Sequence, residues 1–352
     1  MIKIRWGVLG TSKISKVFCE GIRASKTGEL VAIGSRSRDS EANKALLENF
    51  KTICFTPNEN GNDHSGMERL IHDPHVDAVY IGLPNFLHKD WIIKCIEAGK
   101  HVLCEKPFVL NTNEMVEVIK ALGNSSIVCT EGLMYLYHPF ARLLKSYLPE
   151  VGSIISIDAK YMYNIVSVAN PHFGGAIRNL GCYPISLIRF LMDSEPIELA
   201  SHSGKIGLDD NIRSANIILK FPNNTLARVY TADDEPSRKS DLNFLFKIKG
   251  TTGEIELKSN PWLAGEKNEF VIRTTSGQEK IITCLEQKPL FSHEIDAVGY
   301  EIIRRKSPDL YTGSNINPVL PIEFIRGNAA ILANWEAQIR NIQSLNKKYI
   351  TQ

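Results

Sequence analysis

Short apolar runs alternate with amphipathic stretches through the first third of the chain. Positions 4–9 (Ile-Arg-Trp-Gly-Val-Leu), 30–34, 77–82, 101–104 and 127–130 read as strands. The intervening stretches 14–24, 40–50, 89–98 and 112–122 carry apolar residues at helical spacing. Gly99 stops the third of these helices as a C′ residue. Thr112 caps the fourth, and Glu114 and Glu117 suit its first turns. Continuous apolar strands separated by helices predict a parallel sheet covered on both faces.

In the second half the period changes to two. Residues 154–163, 214–221, 226–232, 242–249, 253–257 and 269–274 alternate as strands do. Phe221-Pro222-Asn223-Asn224-Thr225 and Gly250-Thr251-Thr252-Gly253 read as tight turns between them. This predicts an antiparallel sheet, with helices over 184–192, 291–305 and 321–342 covering one face. The boundary between the two patterns is expected at 125/126, giving domains 1–125 and 126–352.

A length of 352 residues agrees with two domains, since one core seldom serves so long a chain. Hydrophobic residues at 43% and charged residues at 23% are those of a soluble globular protein. Lys plus Arg number 41 and Asp plus Glu 39, a net of +2, so nothing in the charge calls for nucleic acid or an acidic membrane surface. No apolar run approaches the roughly 18 residues of a membrane span. The chain enters its first strand with no signal-peptide core, and the expected compartment is the cytoplasm. None of the seven cysteines forms a C-x-x-C pair, and Cys19, Cys95, Cys104, Cys129 and Cys182 sit in apolar surroundings, which reads as reduced, buried thiols. His72 and His75 flank Asp73-Pro74 with no third ligand nearby, so no metal is expected.

Three strand ends carry candidate chemistry. The first is Gly7-Val8-Leu9-Gly10-Thr11-Ser12-Lys13-Ile14-Ser15. A glycine turn opening a helix lets backbone N–H groups face a pyrophosphate. Gly10 fits the first glycine of G-x-G-x-x-G, while Ser12 and Ser15 stand where the other two belong. Gly10, Thr11, Ser12, Lys13 and Ile14 are therefore cofactor candidates, against the plainer reading of an ordinary β–α turn. The second strand ends in Ser35-Arg36-Ser37-Arg38, where an acid would select NAD. Two guanidiniums and two hydroxyls suit a 2′-phosphate, so Ser35, Arg36 and Arg38 point to NADP, with NAD left open. Leu83, Pro84, Asn85 and His88 follow the 77–82 strand as cofactor-side residues. For His88 the alternative is a helix-start residue that only bonds backbone. The third end is Cys104-Glu105-Lys106-Pro107, placing a carboxylate and an amine where open parallel sheets bind ligands, so that Glu105 and Lys106 are cofactor candidates and the lysine can reach a substrate hydroxyl too.

In order along the chain, Trp6-Gly-Val-Leu-Gly-Thr-Ser, Leu83-Pro-Asn with His88, Gly99-Lys-His-Val-Leu-Cys-Glu-Lys-Pro107, Glu131-Gly-Leu-Met-Tyr with His138-Pro139, and Gly174-Gly-Ala with Gly181-Cys-Tyr-Pro184 resemble the glucose–fructose oxidoreductase / inositol dehydrogenase (Gfo/Idh/MocA) family. The resemblance is nearest its dihydrodiol and xylose dehydrogenase branch and spans essentially the whole chain. It implies an α/β protein: an N-terminal Rossmann domain with a doubly wound parallel sheet, then a C-terminal α+β domain with a large, mostly antiparallel open sheet for substrate binding and oligomerisation. It implies Lys106 as catalytic lysine, Glu105 against the nicotinamide side, and Tyr183 at the position of the family's catalytic histidine or tyrosine. An ammonium lowers a phenol's pKa from its ordinary value near 10 toward working range. It also implies a sugar-like substrate, met by Tyr135, Tyr163, Asn179 and Tyr183, and a homodimer or higher homo-oligomer through the C-terminal sheet.

Two positions depart from the family. Asn179 stands where an acid is usual four residues before the catalytic position, and Leu136 where the branch has arginine. Asn179 orients a hydroxyl but cannot accept its proton. These departures motivate a second reading, a dinucleotide-binding regulator or scaffold without chemistry. The first reading is an NAD(P)-dependent oxidoreductase acting on a secondary alcohol or ketone of a sugar, inositol or related polyol.

Overall fold

The structure is a computed structural model and describes residues 2–37, 41–57, 63–166, 174–234, 243–308 and 318–350. By contact density the chain divides into two units. The first is Met1–Val109, Asn113–Tyr137 and Lys288–Ile325; the second is Leu110–Thr112, His138–Gln287 and Arg326–Gln352.

The first unit is built on β1 (Ile4–Leu9), β2 (Gly28–Gly34), β3 (Ile53–Phe55), β4 (Ala78–Ile81), β5 (His101–Glu105) and β6 (Cys129–Gly132). All pairings are parallel, in the order β3-β2-β1-β4-β5-β6. The order reverses between β1 and β4, and beyond the carboxyl ends of such strands lies the ligand-binding side of an open α/β sheet. β4 and β5 are buried at every position, as an unbroken apolar run covered on both faces requires. The helices are α1 (Lys13–Ala24), α2 (Glu41–Phe50), α3 (Ser65–His72), α4 (His88–Glu97), α5 (Thr112–Leu122) and the short α6 (Met134–Tyr137).

The second unit opens with α7 (Pro139–Ser146), β7 (Ile154–Met162) and α8 (Cys182–Met192). It continues with β8 (Glu198–Ala200), β9 (Gly204–Ile206), β10 (Ile212–Lys220), β11 (Leu226–Ala232), β12 (Phe244–Gly250), β13 (Gly253–Leu257), β14 (Lys267–Thr274) and β15 (Glu279–Leu285). The sheet runs β15-β14-β13-β12-β7-β11-β10-β8, with β9 also on β10. Among the described strands of this sheet, β7 and β11 alone pair in parallel. Along β7 the burial alternates, with Ile157, Ala159 and Tyr161 inward. Ile185 and Ile188 of α8 and Trp335 and Ile339 of the last helix, α10 (Ile322–Ile350), are core residues of this unit. The Trp335 indole donates to the Asn216 carbonyl at 2.9 Å.

One expected element changes place. The sequence pattern places the 291–305 helix over the second sheet; the structure gives α9 (Leu290–Lys306) to the first unit. Phe18 of α1 meets Phe291 edge-on at 6.5 Å. Asp296 Oδ1 accepts from the backbone N–H groups of Lys26 and Thr27 at 2.7 and 3.0 Å, tying α9 to the turn before β2. Helical periodicity shows which face of α9 is apolar but not which sheet it covers. The compact units consequently do not divide at 125/126. Among the described residues no helix is long and apolar enough to cross a membrane.

Candidate active site

At the end of β1 the backbone turns through Gly10 at φ +94°, a conformation that side chains disfavour. A Cβ there would stand 3.0 Å from the Gly82 carbonyl oxygen and 3.1 Å from Leu83 Cδ2. Ser12 caps α1: its hydroxyl accepts from Ser15 N–H at 3.3 Å and lies 3.3 Å from the Gly82 carbonyl, to which it donates. The residue in the second-glycine position therefore ties the first turn to the one after β4. Thr11 and Ile14 are half-buried, Ser12 and Lys13 exposed, and no acid occupies the first turn of α1. An open helix N-terminus behind a glycine turn, free of negative charge, fits a dinucleotide pyrophosphate.

After β2, Ser35 is buried and its hydroxyl shapes the turn. It donates to the Ser37 carbonyl at 2.9 Å and accepts from Ser37 N–H at 3.2 Å. Arg36 is exposed at the end of this strand. Arg38 lies outside the described residues.

The turns after β4 and β5 are interlocked. Glu105, last residue of β5, is 9% exposed. Its Oε1 accepts from the Tyr80 hydroxyl at 2.6 Å, and its Oε2 from Lys106 N–H at 3.2 Å. Burial raises the Glu105 pKa, against the pull of Lys106 and the Tyr80 hydrogen bond. The Tyr80 ring stacks on Phe18 with centroids 3.6 Å apart. The next turn is pinned at Phe108, whose N–H donates to Glu131 Oε1 at 3.0 Å. Leu83 is half-buried, Pro84 exposed and Asn85 buried. His88 is 1% exposed, and its two ring nitrogens contact main-chain carbonyls, Nδ1 that of Pro107 at 2.8 Å and Nε2 that of Leu83 at 2.9 Å. The ring thus makes the backbone contacts that its alternative reading expects.

In the second unit, helical backbone begins before Asn179 as one π turn, Ile177–Gly181, which runs straight into α8. Tyr183, half-buried in the first turn of α8, meets Tyr161 edge-on at 5.5 Å and Trp262 at 6.5 Å. Trp262 is fully buried, 4.4 Å from Tyr161. Tyr163 is 43% exposed beyond the end of β7. Tyr135, a substrate candidate from the sequence, is 1% exposed on α6 in the first unit. Lys106 belongs to the first unit and Tyr183 to the second.

Sequence reasoning passed over Tyr80, Trp262 and Glu294. Tyr80 had a signal, a phenol inside an all-apolar strand that must find a polar partner. Glu294 had one as well, lying on the same helical face as Phe291 and Val298. It is fully buried, and neither carboxyl oxygen has a hydrogen-bond partner among the described residues. Burial, reinforced by the nearby Glu105, pushes its pKa well above the carboxylate range. The native state thus holds a proton that the unfolded chain gives up near its ordinary value. Stability falls as pH rises from that value toward the folded pKa. Glu294→Gln is expected to flatten this decline, read as melting temperature against pH; a slope equal to wild type contradicts it.

Residues 4–133 match an oxidoreductase family with an NAD-binding Rossmann fold, and residues 149–256 match the GFO/IDH/MocA C-terminal domain. An uncharacterized oxidoreductase of Rhizobium meliloti is 31% identical over 275 residues, covering 74% of this chain and 75% of its own. A D-xylose 1-dehydrogenase (NADP(+)) of Haloferax volcanii is 25% identical over 333 residues, covering 92% and 97%. A solved 3-ketoreductase from Actinomadura kijaniata shares the fold, with TM-score 0.78, 20% identity and coverage of 96% and 98%.

Proposed function

The chain belongs to the Gfo/Idh/MocA family of oxidoreductases, and from that premise we propose that it moves a hydride between NADP and a secondary alcohol or ketone of a sugar, inositol or related polyol. The observation that carries this reading is the first unit's pair of strand ends: the glycine turn after β1 with its open helix terminus, and the pinned Glu105-Lys106 end of β5. NADP is preferred to NAD because the end of β2 offers Ser35, Arg36 and Ser37, with no acid among its described residues to receive a 2′-hydroxyl. The name of the Haloferax volcanii relative agrees.

When bound, the cofactor supplies or takes the hydride at carbon. The protein's residues handle the remainder. Thr11, Ser12, Lys13 and Ile14 present the start of α1 to the pyrophosphate. Leu83, Pro84 and Asn85 border the nicotinamide half. Glu105, with its carboxyl held by Tyr80 and by Lys106 N–H, holds the strand end that carries Lys106. Lys106 meets the negative charge that develops on the substrate oxygen. Tyr183 gives or takes the proton, and Asn179 and Tyr163 orient substrate hydroxyls.

The test is a panel of sugars, keto-sugars and nucleotide sugars, followed by nicotinamide absorbance. Turnover of one sugar or polyol class, with a lower KM for NADPH than NADH, is expected. NADPH binding without turnover of any member overturns the catalytic reading. Self-association is assigned to the open face of the second unit's sheet. There Lys160 and Arg228 are exposed, and the edge strand β15 leaves Ile281 and Leu285 62% and 74% exposed. Sedimentation of the purified chain as a monomer refutes that part. The cytoplasm suits its free thiols, six of them beyond easy reach of the surface at Cys19, Cys95, Cys104, Cys129, Cys182 and Cys284.

A further inference from the structure

A neutral imidazole has one N–H, yet His88 places both ring nitrogens within hydrogen-bond distance of carbonyl oxygens, which only accept. In the neutral ring one of these contacts sets lone pair against lone pair. In the imidazolium both are hydrogen bonds. The two carbonyls belong to different turns. Leu83 opens the turn after β4 that carries Asn85; Pro107 closes the one after β5 that carries Lys106.

We propose that His88 is a positioning residue for the cofactor, a proton-dependent clamp that in its doubly protonated form ties the Leu83 turn to the Pro107 turn. Dinucleotide binding, which brings negative phosphates and needs both turns in place, draws a proton onto this ring. The claim rests on the NADP reading of the first unit.

The surroundings suit a ring whose second proton is conditional. Burial holds the His88 pKa below the ordinary imidazole value; the Pro107 and Leu83 carbonyls pull it up, and Lys106 pushes it down. Among the described residues no carboxylate contacts the ring. On its own helix Lys89 pairs with Asp90 at 2.9 Å and with Glu117 of α5 at 3.1 Å. At the end of β5, Glu105 is held by Tyr80 and Lys106 N–H. Negative phosphates would supply the potential that these groups withhold. The sign follows from linkage. If the complex binds an extra proton, affinity falls as pH rises through the window between the free and bound pKa values.

The experiment is calorimetric titration of wild type and His88→Gln with NADP+ and with NADPH, each in two buffers of different ionisation heat. Glutamine is neutral at every pH and can still donate. Any proton exchanged by the 2′-phosphate is common to both proteins. Wild type is expected to take up a fraction of a proton per cofactor and to lose about tenfold in affinity for each unit by which the cofactor shifts the ring. His88→Gln is expected to bind with that dependence gone. Equal uptake in both proteins, or none in wild type, overturns the clamp. Failure to bind NADP(H) at all overturns instead the cofactor reading beneath it. If His88→Gln does not fold, nitrogen NMR of the wild-type histidine rings decides. A buried ring in the complex with both nitrogens protonated supports the clamp, and its absence refutes it.

Discussion

Replacing Lys106 by alanine is expected to lower turnover about a thousandfold, within the range seen when a positioned proton-transfer or charge-stabilising group is removed. Affinity for NADPH is expected to change little, because the lost interaction is one made as charge develops on the substrate. Tyr183→Phe keeps the ring and its contact with Tyr161 and removes only the hydroxyl, with a loss of similar size. If the two groups act as a unit, the double variant loses little beyond the worse single one. Steady-state rates and NADPH fluorescence titrations on the four proteins measure all of this. Lys106 is also the main charge opposing the effect of burial on Glu105, so Lys106→Ala should let that carboxyl protonate at higher pH. Lys106→Arg restores the charge and should restore the Glu105 titration. Turnover unchanged in both single variants would take proton handling away from these residues.

The second large effect is expected at Gly10. Valine there would have to hold a positive φ, at a cost of about 1–2 kcal/mol, with its Cβ 3.0 Å from a backbone oxygen. Neither the Gly82 carbonyl nor the helix start can yield without moving the turn proposed to face the pyrophosphate. Gly10→Val should weaken NADP(H) binding by about a hundredfold, the sum of strain and lost N–H geometry, since each 1.4 kcal/mol is tenfold. Gly10→Ala should show the same defect less severely. Titration calorimetry reads the first effect and thermal melting the accompanying loss of stability. Wild-type affinity in a folded Gly10→Val protein would show that the dinucleotide does not approach this turn.

The β–α alternation and the strand ends were legible because each is a local signal. A run such as Val79-Tyr80-Ile81 needs only its own neighbours to declare a buried strand, and Gly10 needs only its place after one. β3, β8 and β9 escaped notice because three residues are too few to show a period. The exposed edge strand β15 buries only Ile282 and Cys284, so its alternation is faint. The contacts of the Ser12 hydroxyl with Ser15 and Gly82 cannot be seen from its position in the glycine turn alone. Tyr135 lies in a short helix that was not foreseen, and its burial was invisible without that helix. The partners of Glu105, Asp296 and His88 stand 25, 270 and 19 residues away, separations at which no periodicity speaks.

The return of α9 to the first unit has a consequence for biosynthesis. All six strands of the parallel sheet leave the ribosome before the helix that lies against Phe18 and seals the Lys26–Thr27 turn. The nascent first unit must wait, part of its apolar flank uncovered, while some 150 further residues are made. A chain cut after Gln287 should therefore be insoluble or chaperone-bound despite containing every strand of that sheet, and splicing 288–325 directly onto 137 through a linker should rescue it.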